Sequence, residues 1–303
     1  MPQVMWVIPG ILLTVIFFRA DRSWTWLPLL CTLWVIGPIM GFCWSTNEPK
    51  PAPGDMTVRV MTWNIKYDRK NIKPLLDEIV RCKPDVLFFQ DAVFSLKGPL
   101  GDYFRSWQVC SYGQYVIVSR YSLTDAEVYE LPFFGRKKEN FLRCRMHIGR
   151  KSVSLYNVHF KTPRQSIKAF KATKNRPGKL PEIIQTLEDN VQTRIDQAAT
   201  VREFLKEETG PVIVAGDFNA PEYSLVCETL RNAGLRDAFS EGGRGYGFTY
   251  GHFLLKNRLP WLRVSWMRID HIMVGSGFKT KRCWVGTGKA SAHRPVIAEL
   301  ILK

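Results

Sequence analysis

The sequence predicts a layered α/β or α+β domain that follows a pair of membrane-embedded helices. Short apolar runs of strand length alternate along residues 56–303 with stretches of helical periodicity, which is typical of sheets covered by helices. Residues 1–44, in contrast, carry almost no charge. With 46% hydrophobic and 13% aromatic residues, the 303-residue chain can build a sizeable core, which excludes a disordered basic tail.

The first 44 residues predict two transmembrane helices. Residues 1–18 are almost wholly apolar, and residues 24–44 contain no charge; a short polar break separates them. The second stretch is long enough to cross a hydrocarbon core of about 30 Å, and the first is just long enough. A secretory signal peptide would need a basic start and a small-residue cleavage site, and neither is present. The predicted organisation is two membrane helices, a stiff Pro-rich linker and one folded domain, over residues 1–44, 45–55 and 56–303.

Strand and helix signals then follow one another through the domain. Alternating residues 58–64 predict a strand, and the helical period of residues 71–82 predicts a helix that Pro84 ends. The apolar run 86–89 predicts a buried strand. By the same criteria, further strands are expected at 115–119, 141–147, 153–160, 212–216, 268–274 and 296–302, and helices at 181–206 and 224–233.

The formal net charge of +16 arises from 43 Lys and Arg against 27 Asp and Glu. Residues 1–55 hold three basic and three acidic side chains, so all of the excess belongs to the domain. Such an excess indicates a polyanionic partner, which could be nucleic acid, an anionic membrane surface or a phosphate-rich substrate; a surface charged for solubility gives the same count. The seven cysteines lack C-x-x-C spacing and indicate neither a zinc site nor a disulfide framework.

Polar side chains stand where the apolar strands end. A single residue of this kind would be an ordinary strand terminus. Seven of them occur here, however, and all seven are of types that bind metal or phosphate. Asp and Asn oxygens suit Mg²⁺, and His and Asn can donate hydrogen bonds to a phosphoryl oxygen. These candidate site residues are Asn64, Asp91, His159, Asp217, Asn219, Asp270 and His293.

Six short motifs containing these residues follow one another through the domain: Thr62-Trp63-Asn64-Ile65, Pro84-Asp85-Val86-Leu87 ending at Gln90-Asp91, Asn157-Val158-His159-Phe160, Gly216-Asp217-Phe218-Asn219, Arg268-Ile269-Asp270-His271 and Ser291-Ala292-His293-Arg294-Pro295-Val296. In this order they resemble the endonuclease/exonuclease/phosphatase superfamily, which includes pancreatic-type deoxyribonucleases, abasic-site endonucleases, sphingomyelinases and inositol-phosphate phosphatases. The resemblance implies a four-layer α/β sandwich and metal-dependent hydrolysis of phosphoric esters.

The resemblance also implies a role for each catalytic residue. Asp217, with Asn219 beside it, would orient or deprotonate the attacking water. His159 and His293 would donate hydrogen bonds to the pentacoordinate transition state, and Asp270 would hold the ring of His293.

Asn64 and Asp91 would, by the same resemblance, help to hold Mg²⁺, with Mn²⁺ as a possible replacement. The family usually has Glu where Asp91 stands, and Asp is one methylene shorter. Ala292 is a larger departure, because the usual Ser-Asp-His motif places a metal-site Asp there and Ala cannot ligate. Either the chain is a natural low-activity protein or the Asp was replaced to stop turnover. We favour the replacement, since degenerate enzymes tend to lose several site residues.

Two further segments predict substrate contacts. Residues 161–179 hold seven basic groups and no acidic one, which suits a nucleic-acid backbone, anionic lipid headgroups or a solvated insertion. Residues 253–266 mix aromatic, leucine and basic residues, which suits a membrane-dipping loop, an aromatic wall for nucleic acid or core packing. The candidate substrate-binding residues are Lys161, Arg164, Lys168, Lys171, Arg244 and Trp261.

Three functions follow from these observations. The preferred one is a membrane-anchored nuclease or phosphodiesterase acting on DNA, silenced here by Ala292. The second is a phosphatase or phosphodiesterase of lipid phosphates or pyrophosphates, and the third is a non-catalytic protein that binds a phosphate ligand. Residues 161–164 and 243–249 also resemble a membrane-anchored bacterial branch of the superfamily. That resemblance implies a bacterial inner or plasma membrane location, with the domain on its extracytoplasmic side.

Overall fold

The computed structural model describes residues 6–46, 48–66, 72–92, 98–133, 139–164, 166, 177–251 and 265–303. The strands among these residues lie in two large sheets and one short ribbon. In chain order the strands are β1 (Cys43–Trp44), β2 (Met56–Asn64), β3 (Val86–Gln90), β4 (Gln108–Tyr112), β5 (Tyr115–Ser119), β6 (Ser122–Leu131), β7 (Glu139–Ile148), β8 (Lys151–His159), β9 (Val212–Asp217), β10 (Arg236–Asp237), β11 (Arg244–Gly245), β12 (Asp270–Val274), β13 (Phe278–Val285) and β14 (Val296–Leu302).

Each large sheet has six strands and contains both parallel and antiparallel pairs. The first sheet has the order β10-β12-β9-β8-β7-β6, and the second has the order β13-β14-β2-β3-β5-β4. Strands β8 and β9 are parallel in the first sheet, and β2 and β3 are parallel in the second. The predicted α/β class is confirmed, and strands 115–119 and 296–302 have the predicted bounds.

Helices cover the outer faces of the two sheets, and two further helices form a separate N-terminal pair. In the described residues they are α1 (Val7–Ala20), α2 (Trp26–Trp34), α3 (Ile72–Cys82), α4 (Gly98–Tyr103), α5 (Leu180–Lys206), α6 (Leu225–Arg231) and α7 (Ala238–Gly242). The predicted helices at 71–82, 181–206 and 224–233 correspond to α3, α5 and α6.

Among the described residues, three buried apolar clusters hold these layers together. The largest lies between the sheets and combines residues such as Val60 and Phe88 of the second sheet with Leu155 and Ile213 of the first. A second cluster packs α5 and α6 onto the first sheet, and a third packs α3 and α4 onto the second. Burial of apolar surface in these clusters stabilises a helix, sheet, sheet and helix arrangement, as the four-layer expectation requires.

The N-terminal segment forms a helical pair whose members are shorter than expected. Helix α1 has 14 residues and a length of about 21 Å. Helix α2 has 9 residues and continues as a π-helical turn over Val35–Ile39. Within the described part of the chain, none of the helices combines the length and the apolar character that crossing a membrane requires.

The prediction of two transmembrane helices over residues 1–44 is corrected accordingly, and the local structure supplies the reason. Asp21 accepts a hydrogen bond from the Ser23 N–H and thereby caps a separate 3₁₀ turn between α1 and α2. After the π-helical turn, Gly41 adopts a left-handed backbone with φ 73°, which directs the chain into β1. Strand β1 then pairs with β11, so the residues that should end the second span belong to the folded domain.

A charged cluster on β14 generates a stability prediction. Glu299 accepts hydrogen bonds from Arg282 of β13 at 2.7 Å and from Arg59 of β2 at 3.1 Å. The bond from Arg282, acting against burial and together with Arg59, lowers the pKa of Glu299 to about 2. Because the folded pKa is lowered, the contribution is complete above the ordinary pKa of 4.5 and is lost as the pH falls toward 2.

We expect Glu299→Gln to lower the free energy of unfolding by about 2 kcal/mol at pH 7, because two arginines lose a charged acceptor. Urea titrations across pH 2 to 7 measure this, and the substitution should flatten the dependence of stability on pH below 4.5. Glu203→Gln is the control, since Glu203 pairs with Arg202 and Lys206 at an exposed position and should change stability little. Equal effects of the two substitutions would contradict the prediction.

Candidate active site

The strand register brings the candidate residues together at one edge of the sandwich. In the first sheet, His159 at the end of β8 lies opposite Asp217 at the end of β9, and Asp270 at the start of β12 lies opposite the same Asp217. In the second sheet, Asn64 ends β2 opposite Gln90 of β3, and Asp91 follows directly. Parallel strand ends meet at one edge of a sheet, which is where ligands bind in many α/β proteins.

Asp217 is the centre of this arrangement. Its side chain is fully buried, and its Oδ2 accepts a hydrogen bond from Asn64 Nδ2 at 2.9 Å. The Nε2 atoms of His159 and His293 lie 3.5 and 3.8 Å from the same oxygen. Its Oδ1 accepts the backbone N–H of Asn219 at 2.9 Å. One carboxylate thus connects four of the predicted site residues.

The surroundings of Asp217 keep its carboxylate ionised. Burial disfavours the charged form, but the positive charges of His293, His159 and Lys66, with the Asn219 N–H, outweigh it and lower the pKa of Asp217 below its ordinary value. An ionised, fully buried carboxylate can accept a proton or orient a water molecule. This is the role that the motif resemblance implies for Asp217.

Both histidines direct their Nε2 atom toward the carboxylate of Asp217, while their Nδ1 atom contacts another residue. His293 Nδ1 contacts Asp270 Oδ2 at 2.9 Å, and His159 Nδ1 contacts Gln114 Oε1 at 2.9 Å. A carboxylate and an amide oxygen only accept hydrogen bonds here, so each Nδ1 is the protonated donor. The two Nε2 atoms therefore point toward Asp217, where a phosphoryl oxygen could lie between them.

The backbone around His293 is held by residues of the neighbouring elements. Trp63 Nε1 donates to the His293 carbonyl at 2.9 Å, and Ser291 Oγ donates to the Asn64 carbonyl at 2.7 Å. The ring of Tyr250 packs against the His293 imidazole, with centroids 4.6 Å apart. Hydrogen bonding and packing together fix the position of His293 relative to both sheets.

Residues 61–293 match the family described as Endonuclease/Exonuclease/phosphatase family. The chain belongs to this family. The similar solved structures include a family member from Bacteroides vulgatus, with 19% identity, coverage of 82% of this chain and 100% of that chain, and a TM-score of 0.61. A second, from Bacteroides thetaiotaomicron, has 14% identity, coverage of 82% and 99%, and a TM-score of 0.62.

A third similar structure is TDP2 from D. rerio complexed with single strand DNA product, with 18% identity, coverage of 80% of this chain and 98% of that chain, and a TM-score of 0.56. At such identities the similarity concerns the fold. No curated protein sequence shows significant similarity to this chain. Family membership confirms the resemblance that the six motifs indicated, whereas the membrane-anchored branch stays a prediction.

The donor set that the family motifs assign to a divalent metal is present in part. Asn64 offers an amide oxygen and Asp91 a carboxylate, and the two follow adjacent parallel strands. Mg²⁺ prefers oxygen ligands and commonly keeps several waters beside one or two carboxylates and substrate phosphates, so these residues fit it. Ala292, half-buried beside His293, supplies no oxygen ligand, which leaves the set one carboxylate short of the motif.

A second cluster of possible ligands consists of Asp217, Asp270 and His293, whose ligand atoms lie within 4.8 Å of one another. Two of these groups bond each other directly, because Asp270 accepts from His293. The cluster therefore contains one direct hydrogen bond, and His293 Nε2 lies 3.8 Å from Asp217 Oδ2. Metal binding by Asn64 and Asp91, and the catalytic roles of the other residues, stay predictions.

The structure describes three of the six candidate substrate-binding residues. Lys161 is half-buried, packs on the ring of Phe133 at 4.8 Å, and has its pKa lowered by burial and by Arg194. Arg164 is exposed, and Arg244 donates to the Ser45 carbonyl at 3.0 Å and so holds the start of the linker. The other three, together with most of both predicted substrate segments, lie outside the described residues: Lys168, Lys171 and Trp261.

Four residues at the site were missed by sequence reasoning. Gln114 and Tyr250 contact the two histidines, Thr249 Oγ1 accepts the Asp270 N–H at 3.3 Å, and Lys66 lies 3.4 Å from Asp91. All four lie outside the six motifs, and no local spacing links Gln114, Thr249 or Tyr250 to the histidines or to Asp270. Lys66 did carry a signal, because it stands two residues after Asn64.

Gly216 gives the site a backbone requirement that can be tested. Its φ is 155°, and an added Cβ would lie 1.8 Å from the carbonyl oxygen of Val158 in the adjacent parallel strand. Backbone cannot yield to such a contact without separating β8 from β9. We expect Gly216→Ala to lower the free energy of unfolding by about 3 kcal/mol, measured by urea denaturation.

Gly275→Ala is the matched control, because its Cβ would approach Val212 at an ordinary 3.6 Å. A loss of stability confined to Gly216→Ala supports the close approach of β8 and β9 beneath the site. Equal stability of the two variants would show that the strand pair tolerates a methyl group and would contradict the prediction.

Proposed function

We propose that this chain has the active site of a metal-dependent phosphodiester hydrolase that acts on DNA, and that Ala292, in place of the family's usual Asp, silences it. The observation that carries the proposal is the convergence of Asn64, His159 and His293 on one buried, ionised oxygen of Asp217. Such a set holds an acceptor for the proton of water beside two donors for a phosphoryl oxygen. Family membership supports phosphoester hydrolysis as the reaction class.

The residues of the site divide the reaction between them. Asp217 orients the attacking water and accepts its proton, and the donor bonds from Asn64 and Asn219 fix the carboxylate. With both ring nitrogens protonated, His159 and His293 would donate from Nε2 to the phosphoryl oxygens, where charge develops as the water oxygen bonds phosphorus and the ester oxygen leaves. A Mg²⁺ ion held by Asn64 and Asp91 would supply further stabilisation of that charge.

DNA is the proposed substrate because of charge and location. The domain carries the whole excess of +16, and Lys161 follows His159 by two residues in the sequence. A basic surface beside the site attracts a phosphodiester backbone irrespective of its base sequence. The D. rerio TDP2 structure with single strand DNA product adds a fold-level precedent for nucleic acid.

We also propose that the helical pair attaches the domain to a bacterial inner or plasma membrane, on its extracytoplasmic side. Large apolar side chains of α1 and α2 are exposed, and Leu12 and Trp34 have 58% and 65% of their surface accessible. Such a surface suits insertion into the lipid of one face of a bilayer. The strand pair β1-β11 would then hold the catalytic domain close to that face.

Vesicle flotation tests this attachment. We expect the full chain to float with phosphatidylglycerol/phosphatidylcholine vesicles and to stay bound at 1 M NaCl, because apolar burial does not depend on salt. Replacing Leu12 and Trp34 together by Glu should abolish flotation, whereas Tyr223→Glu, an exposed aromatic position outside the helices, should not. Release of the unchanged protein at high salt would indicate a purely electrostatic contact and would contradict the proposal.

Restoring the carboxylate that the family motif contains tests the function. We expect Ala292→Asp to raise Mg²⁺-dependent hydrolysis of single-stranded DNA by about 100-fold, since even outer-shell partners of metal sites are worth about 10- to 100-fold. Gel electrophoresis of a labelled oligonucleotide measures the rate, and Mn²⁺ replaces Mg²⁺ in a parallel series. Ala292→Asn is the control, because asparagine has nearly the same shape as aspartate but carries no charge.

The same variant distinguishes the other candidate functions. Adding Asp217→Asn to Ala292→Asp should return hydrolysis to background, because the proton acceptor is lost. Release of inorganic phosphate from a lipid pyrophosphate, with DNA left intact, would replace the nuclease proposal with the lipid alternative. Binding of DNA that weakens steeply with salt, without turnover of either substrate by the restored variant, would support a non-catalytic role.

A further inference from the structure

Lys66 lies at the metal-side edge of the site, where its position is set by the backbone. Its N–H donates to Asn64 Oδ1 at 3.1 Å, and its φ of 54° is in the left-handed region, which is uncommon for a residue with a side chain. Asp91 has a similar φ of 50°. Such backbone strain clusters at functional sites, where the surrounding structure must hold it.

The turn returns the side chain of Lys66 toward the site. Its Nζ lies 3.4 Å from Asp91 Oδ2, while His159 Nδ1 lies 3.6 Å from the other oxygen of the same carboxylate. The side chains of Lys66 and Asp91 are 24% and 11% exposed, so water screens this pair only in part. An ammonium group therefore contacts one of the two residues that would hold the metal.

We propose that Lys66 is a resident cation of the phosphate site, which neutralises Asp91 and donates a hydrogen bond to a phosphoryl oxygen of the ligand. The inference rests on the proposed phosphoester chemistry for the class of its ligand. A compact ammonium with three donors is suited to binding phosphate as a point charge. Lys66 and a divalent cation would share Asp91, and each would weaken the binding of the other.

The absence of a carboxylate at Ala292 makes this arrangement electrostatically consistent. With one negative side chain fewer, the site attracts a doubly charged ion less strongly. The single positive charge of Lys66, in contrast, is still balanced by the single negative charge of Asp91. The site can then retain a phosphate group with fewer metal ligands than the family motif provides. Lys66 would act as a binding residue whose contribution is largest when no metal is bound.

The experiment measures two affinities whose changes should have opposite signs. In full-length Lys66→Met, Mn²⁺ should bind about tenfold more tightly, because the competing ammonium is gone. Electron paramagnetic resonance measures this affinity. Inorganic phosphate, titrated calorimetrically in metal-free buffer, should bind about tenfold more weakly, because the site loses its donor. Lys66→Arg should keep both affinities within about threefold of the unchanged protein. Lys73→Met, an exposed position on α3, controls for net charge.

A second variant tests the same contact from the opposite side. Asp91→Asn should weaken Mn²⁺ binding and strengthen phosphate binding, which reverses the pattern of Lys66→Met, and it remains informative if Lys66→Met does not fold. Changes of the same sign in both affinities, no change in either, or no phosphate binding by the unchanged protein would overturn the proposal. DNA hydrolysis is not measured, so failure of the nuclease proposal leaves this result separately interpretable.

Discussion

The buried carboxylate of Asp217 is the interaction on which the rest of the site depends. A charged side chain with no exposed surface is costly unless donors surround it, and here the donors come from both sheets. Asn64 reaches it from β2 of the second sheet, whereas His159 and Asn219 belong to the end of β8 and to the loop after β9 of the first. The charge can be retained only while the two sheets keep their relative position.

A buried polar link between the sheets lies beside that charge. Gln90 of β3 donates to Asn157 Oδ1 of β8 at 2.8 Å, and Asn157 donates to the carbonyl of Phe89 at 3.0 Å. Apolar burial between the sheets stabilises the sandwich without fixing its register, because it is not directional. Directional hydrogen bonds such as these fix which strand ends meet, and so define where the candidate active site lies.

The N-terminal helices are connected to the same site through the chain. Strand β1 pairs with β11, Phe42 packs edge-on against Tyr246 at 5.2 Å, and Tyr246 stacks on Phe248 at 4.8 Å. The next residue, Thr249, binds the N–H of Asp270. A continuous set of contacts thus joins the base of the helical pair to Asp270, which holds the ring of His293.

The sequence by itself determined the fold class and most strands, and it singled out seven polar residues that the structure brings to one edge of the sandwich, because apolar periodicity and six ordered motifs are local properties. It could not determine helix length at the N-terminus, since the capping by Asp21 and the pairing of β1 with β11 end the apolar helices earlier than hydropathy indicates. Only the tertiary structure brought Gln114 to His159, Tyr250 to His293 and Lys66 to Asp91. Those contacts either join residues that are distant in the chain or depend on a strained turn. The spacing of residues along the sequence predicts neither kind of contact.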